Sequence, residues 1–151
     1  MPAVWDKSRP AAIASDHGGY RLKSHLLGLL EKWGFQIEDL GTDGPDSVDY
    51  PEFGARLAKG VAEGKYCLGV LVCGTGIGMS MTANRHRGVR AALCTSAYMA
   101  RMARAHNDAN VLCLGERVIG TGQAEDILKT FLDGEFEGGR HARRIQAIEP
   151  G

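Results

Sequence analysis

Five short apolar runs alternate with helical patterns along the 151 residues, and no other feature limits the fold of this chain as strongly. Ala11 to Ser15 reads as a buried strand, after which Leu22, Leu26, Leu29, Leu30 and Trp33 recur at helical spacing until Gly34. Phe35 to Leu40 reads as a second strand, ended by the turn-rich stretch Gly41 to Asp46. Phe53, Leu57 and Val61 mark a helix that starts at or after Pro51. Leu68 to Cys73 is the third strand, with a short helix after Gly78. Val89 to Cys94 is the fourth, followed by a helix over Tyr98 to Ala105, and Asn110 to Leu114 is the fifth. Ala124, Ile127, Leu128, Phe131 and Leu132 form the apolar stripe of the next helix. Consecutive βα units require a parallel sheet covered on both faces. The pattern therefore predicts an α/β fold, a three-layer Rossmann-like sandwich with a five-stranded parallel sheet, as one domain over residues 1–151. Met1 to Arg9 precedes the first strand and is expected to lie outside the core.

Composition excludes several function classes. Lys plus Arg number 18 and Asp plus Glu number 18, so net charge offers no argument for nucleic acid or a membrane surface. No apolar run is long enough to span a bilayer, and Met1 to Pro10 lacks the hydrophobic stretch of a signal peptide. Cys67, Cys73, Cys94 and Cys113 form no C-x-x-C pair, which makes reduced thiols in the cytoplasm the expectation. Cys67, Cys94 and Cys113 read as small core hydrophobes.

In doubly wound folds, ligands bind beyond the carboxyl ends of the strands. The polar residues that follow the predicted strands are Asp16 and His17, Thr42 and Asp43, Cys73 and Thr75, Thr95 and Ser96, and Glu116 and Arg117, with Asp49 and Tyr50 further along the second loop. Val70 to Met79 is the richest of these places, because a thiol stands where a strand opens through Gly74, Gly76 and Gly78 into a helix. Amides at such a turn can receive an anion, and the local positive potential lowers a thiol pKa. The spacing Gly74-x-Gly76-x-Gly78 departs from the dinucleotide fingerprint, no Walker lysine is present, and no acidic residue follows the fourth strand. A loop that only lets strand and helix pack closely and an oxyanion hole both remain; the neighbouring thiol and hydroxyl favour the hole.

His106-Asn107-Asp108 precedes the fifth strand, at the opposite edge of the sheet from Cys73. If these residues are catalytic, they must serve a neighbouring subunit's site. Arg140 and Arg144 are four residues apart, so on a helix they share a face and can clamp a phosphate; a solvated basic end is the alternative. His25 and His86 read as surface residues, and no histidine spacing matches a metal site.

Taken in order, Ser15-Asp16-His17-Gly18-Gly19, Asp49-Tyr50-Pro51, Cys73-Gly74-Thr75-Gly76-Ile77-Gly78, His106-Asn107-Asp108-Ala109-Asn110 and Gly138-Gly139-Arg140-His141 resemble ribose-5-phosphate isomerase type B. That group lies in the sugar-phosphate isomerase family that also holds the galactose-6-phosphate isomerase subunits, and the resemblance runs from about Ala11 to Ile148. It implies a cofactor-free aldose–ketose isomerase, a homodimer or dimer of dimers with shared active sites, and no metal. By the same resemblance Cys73 is the base that moves a proton between C2 and C1 through a cis-enediolate. Thr75 and the amides of Gly74, Gly76, Ile77 and Gly78 hold the enediolate oxygen, and His106, beside Asn107, opens the furanose ring. Asp16 contacts substrate hydroxyls, Tyr50 lines the pocket, and His17, Arg117, Arg140 and Arg144 anchor the phosphate. Relatives that act on hexose 6-phosphates or tetrulose phosphates leave the substrate's carbon count open. The family implies no role for the residues ahead of the first strand.

Overall fold

The computed structural model describes residues 5–149. Five strands, β1 (Ala11–Ser15), β2 (Ile37–Asp39), β3 (Gly69–Cys73), β4 (Ala91–Leu93) and β5 (Val111–Gly115), form one sheet in the order β2-β1-β3-β5-β4, and every pair is parallel. Six helices join or follow them: α1 (Tyr20–Lys32), α2 (Tyr50–Ala62), α3 (Ile77–Ala83), α4 (Ala97–Asn107), α5 (Thr121–Asp133) and α6 (Arg140–Ile148).

The three central strands are buried along their whole length, and alternate side chains feed two cores. Ile13, Val70, Val72, Leu112 and Leu114 meet α1, α4 and α5 on one face. Ala12, Ala14, Leu71, Cys73, Val111 and Cys113 meet α2 and α3 on the other. The chain steps outward from β1 to β2 over the first face and returns past β1 to β3 over the second, as right-handed crossovers require. Connections leaving β1 and β3 therefore diverge to opposite faces, which opens a crevice between the carboxyl ends of those two strands. The edge strands β2 and β4 are shorter than their apolar runs, because each has a ladder partner on one side only. Tyr50, expected in a loop, is the first residue of α2, with Pro51 behind it in the first turn.

The segment before β1 departs from expectation. Residues 1–4 lie outside the described residues, but residues 5–9 are strapped to the domain body. Trp5 is buried in the larger core and its indole N–H donates to Leu132 O at 3.0 Å. Lys7 Nζ donates to Trp33 O at 3.3 Å, and Arg9 Nη1 donates to Gly64 O at 2.9 Å. Asp6 to Arg9 are exposed, so the large apolar surface of the Trp5 indole is what joins the segment to the core. Among the described residues no helix is long and apolar enough to cross a membrane.

Candidate active site

Asp16, Tyr50, Cys73, Gly74, Thr75, Ile77, Gly78 and Arg117 line one open cleft of about 410 Å³, and Met81 completes its wall. The cleft lies at the crevice between β1 and β3. A hollow of about 440 Å³ between Asn84, Val89, Ile148 and Glu149 is slightly larger. It contains no thiol and no strand ends in it, so chemistry and not size selects the first cleft.

Cys73 closes β3 and is 5% exposed. Gly76 N–H donates to its Sγ at 3.1 Å. Gly76 must be glycine: its φ is 82°, and a Cβ there would stand 2.5 Å from Leu93 Cδ1. Gly78 admits Tyr50, whose ring would lie 2.4 Å from a Cβ at that position. The Ile77 amide donates to Thr75 Oγ1 at 3.2 Å. Two loop amides, Gly76 and Ile77, thus also bond within the turn. Burial pushes the other thiols upward, Cys94 to about 11, and Cys113 and Cys67 in the same direction. These three are buried and free, as core residues are.

Asp16 is buried at the end of β1, and its Oδ1 accepts from Gly18 N–H at 2.9 Å. Val48 N–H donates to His17 Nδ1 at 3.2 Å, which leaves the ring proton on Nε2, free to donate to an anion. Other residues of the strand-end set serve the fold. Glu116 Oε1 accepts from Leu22 N–H at 2.7 Å in the first turn of α1. Asp39 and Asp43 neutralise the buried Lys23, at 2.7 and 3.7 Å. Ser96 caps α4 by accepting from Met99 N–H at 3.2 Å.

His106, Asn107, Arg140 and Arg144 do not enter the cleft. His106 and Asn107 end α4 just before β5, whose far end, Gly115, pairs with Cys73. At roughly 3.3 Å per residue, the length of β5 alone puts about 15 Å between them. The α6 helix that carries Arg140 and Arg144 packs against α4 at this same amino edge. Both arginines are exposed, whereas His141 between them is buried.

The amino edge also holds residues that sequence reasoning left without a role. The His141 ring stacks on His106, with centroids 4.3 Å apart and 10° between planes. Glu137 Oε1 lies 3.6 Å from His141 Nε2 and 3.8 Å from His106 Nε2. Burial, then His106 and Arg140, hold the His141 pKa below its ordinary value. An imidazole binds a metal in its ring plane, and nearly parallel planes share no nearby point, so this trio is not a ready ligand set. His25 is exposed beside Glu125, and His86 is half-buried against Thr82 O. Met81 was legible in principle, since it stands four residues after Ile77 on the same helix face.

Comparison with known proteins bears on this geometry. The family model described as Ribose/Galactose Isomerase matches residues 11–148. The chain is 41% identical over 137 residues to ribose-5-phosphate isomerase B of Escherichia coli (strain K12), with 91% of this chain and 92% of that one covered. The structure of Clostridium thermocellum ribose-5-phosphate isomerase B matches with a TM-score of 0.91 at 52% identity, covering 92% of this chain and 94% of that one. A ribose 5-phosphate isomerase from Thermotoga maritima matches with a TM-score of 0.91 at 47% identity, covering 93% and 97%.

Proposed function

Because the chain belongs to the ribose/galactose isomerase family and is an aldose–ketose isomerase of the ribose-5-phosphate isomerase B type, we propose that it interconverts D-ribose 5-phosphate and D-ribulose 5-phosphate without a cofactor. The convergence of Asp16, Tyr50, Cys73, Thr75 and Arg117 on one cleft carries this reading.

The chemistry follows from the residues. The Cys73 thiolate removes the proton from C2 of the open-chain aldose, and the electron pair moves onto the carbonyl oxygen to give a cis-enediolate. The proton of the C2 hydroxyl passes to the C1 oxygen as the same sulfur returns its proton to C1, leaving a hydroxyl at C1 and a ketone at C2. Charge develops on oxygen, so fixed amides from Gly74 to Gly78 beside the thiol act most strongly in the transition state. Losing one such donor typically costs about 10²–10³ in rate. His17 Nε2 and Arg117 hold the phosphate at the far end, which orients C1 and C2 against the sulfur.

Ring opening needs a further proton-transfer group, and in our reading His106 of the partner subunit supplies it, with Asn107 beside it. Arg140 and Arg144 come with the same partner edge and complete the phosphate clamp. The protein then works as a homodimer or a dimer of dimers with shared active sites. Four free, buried thiols agree with work in a reducing cytoplasm.

Purified protein with a chelator and no added cofactor is expected to convert ribose 5-phosphate to its ketose. Failure by folded protein, with turnover of a hexose or tetrose phosphate instead, would move the substrate and keep the chemistry. Arg140→Ala is expected to raise KM by about 10- to 100-fold with kcat little changed, because a charge-assisted phosphate contact is equally present in ground and transition states. An unchanged KM for every phosphosugar tested would remove Arg140 from the site.

A further inference from the structure

Trp5 lies upstream of residues 11–148, the span shared with the family, yet it is built into the end of the molecule that carries His106. Its ring stacks on Phe131 of α5, with centroids 5.7 Å apart and 21° between planes. The Arg104 guanidinium lies 4.2 Å from the Trp5 ring centroid and 5.8 Å from that of Phe131. Arg104 is 3% exposed, so its charge and donors need partners inside the protein. The aromatic faces supply one part, through a cation–π contact that strengthens when water is excluded.

Arg104 is also what shapes the end of α4. Its Nη1 donates to Ala109 O at 2.6 Å and to Asp108 Oδ1 at 3.0 Å, so one guanidinium bridges both sides of the turn that follows His106 and Asn107. From β4's side Arg90 donates to Asn107 O and to Asp108 O, each at 2.9 Å. Asp108 itself has a φ of 44°, a left-handed backbone that a non-glycine residue keeps only where its surroundings impose it. The corner that presents His106 and Asn107 is therefore held by two arginines, and one of these is held by Trp5.

We propose that Trp5 is a positioning residue for the ring-opening half of the active site: packed against the Arg104 guanidinium, it fixes the α4–β5 corner and thereby the place of His106 and Asn107. The segment before β1 is thus a functional strap. The proposal rests on the reading above that His106 opens the sugar ring.

Proton exchange and net conversion together provide a test that mere destabilisation cannot mimic. A pentose 5-phosphate aldose closes through O4 and must be opened before isomerisation. The corresponding 2-ketose has its O5 esterified and cannot close a furanose, so exchange of its C1 hydrogen with solvent deuterium needs the proton-transfer base but no ring opening. Trp5→Ala is expected to lower kcat/KM for net conversion about tenfold, within the cost of a misplaced group, and by the same factor in both directions, because their ratio is the equilibrium constant. Solvent exchange into the ketose should fall by less than about twofold, measured where circular dichroism shows the variant folded. Trp5→Phe keeps a ring over Arg104 and should restore most of the conversion rate. Equal losses of exchange and conversion, or no loss of either, would overturn the proposal. His106→Asn, run in parallel, separates the two levels. If it lacks the same asymmetry, the ring-opening reading falls and the proposal with it. If it shows the asymmetry and Trp5→Ala does not, only the role of Trp5 falls.

Discussion

Cys73→Ala is expected to lower turnover by about 10²–10⁴-fold, the range a positioned general base contributes, while phosphosugar binding persists. The expectation follows from the separation of tasks within the cleft. Cys73 ends β3 with its sulfur bonded to the Gly76 amide, whereas the polar side chains proposed to meet the rest of the substrate come from other elements: Asp16 and His17 after β1, and Arg117 after β5. Removing one sulfur atom leaves those contacts in place. It also leaves the fold in place, because Cys73 contributes only a small side chain to a core of Leu57, Leu71 and Met79. Kinetics from both sugar directions, with a direct binding measurement on the same preparation, check the point. A Cys73→Ala protein with near-normal turnover would show that another group moves the proton. One that lost binding as well would make Cys73 a structural part of the cleft.

Much of the architecture was legible because β1, β3 and β5 are apolar along their length and stand between helical repeats. The edge strands were overread. Phe35 to Leu40 and Val89 to Cys94 are apolar enough for longer strands, but pairing on one side ends β2 and β4 at three residues each. At the site, the rule that ligands bind beyond the strand ends found Asp16, Cys73, Thr75 and Arg117 because each ends a strand or stands within two residues of a strand's end. The same rule also returned Glu116 and Asp43, whose carboxylates serve a helix start and a buried lysine. Strand-end position cannot distinguish a carboxylate that meets substrate from one that meets a backbone amide.

What escaped the sequence depends on contacts between distant residues. The Trp5 indole bonds to Leu132 across 127 positions, and no local pattern announces such a contact. Stacking of His141 on His106 joins two helices in the same way. Both features sit at the amino edge of the sheet, where the fold rule places no ligand. They gain meaning only through the spatial division between the edges. One carries the thiol, the glycine turn, His17 and Arg117, and the other carries the histidine pair and two exposed arginines.

That division leads to the second large effect. If each active site takes its thiol from one chain and its ring-opening histidine from another, two inactive proteins can repair one another. A Cys73→Ala chain keeps His106, and a His106→Asn chain keeps Cys73. In a mixed dimer one site inherits both defects and the other inherits neither. Random reassortment makes half of the dimers mixed, so roughly a quarter of wild-type sites return. The rise is large against two parents that are each almost silent from the aldose side. Co-refolding the two variants in equal amounts and measuring aldose-side turnover is the most direct test of the account. The predicted result is recovery to about one quarter of the wild-type rate. Activity that stays at the mean of the two parents would contradict it, and would mean that a single chain supplies every catalytic group to its own site.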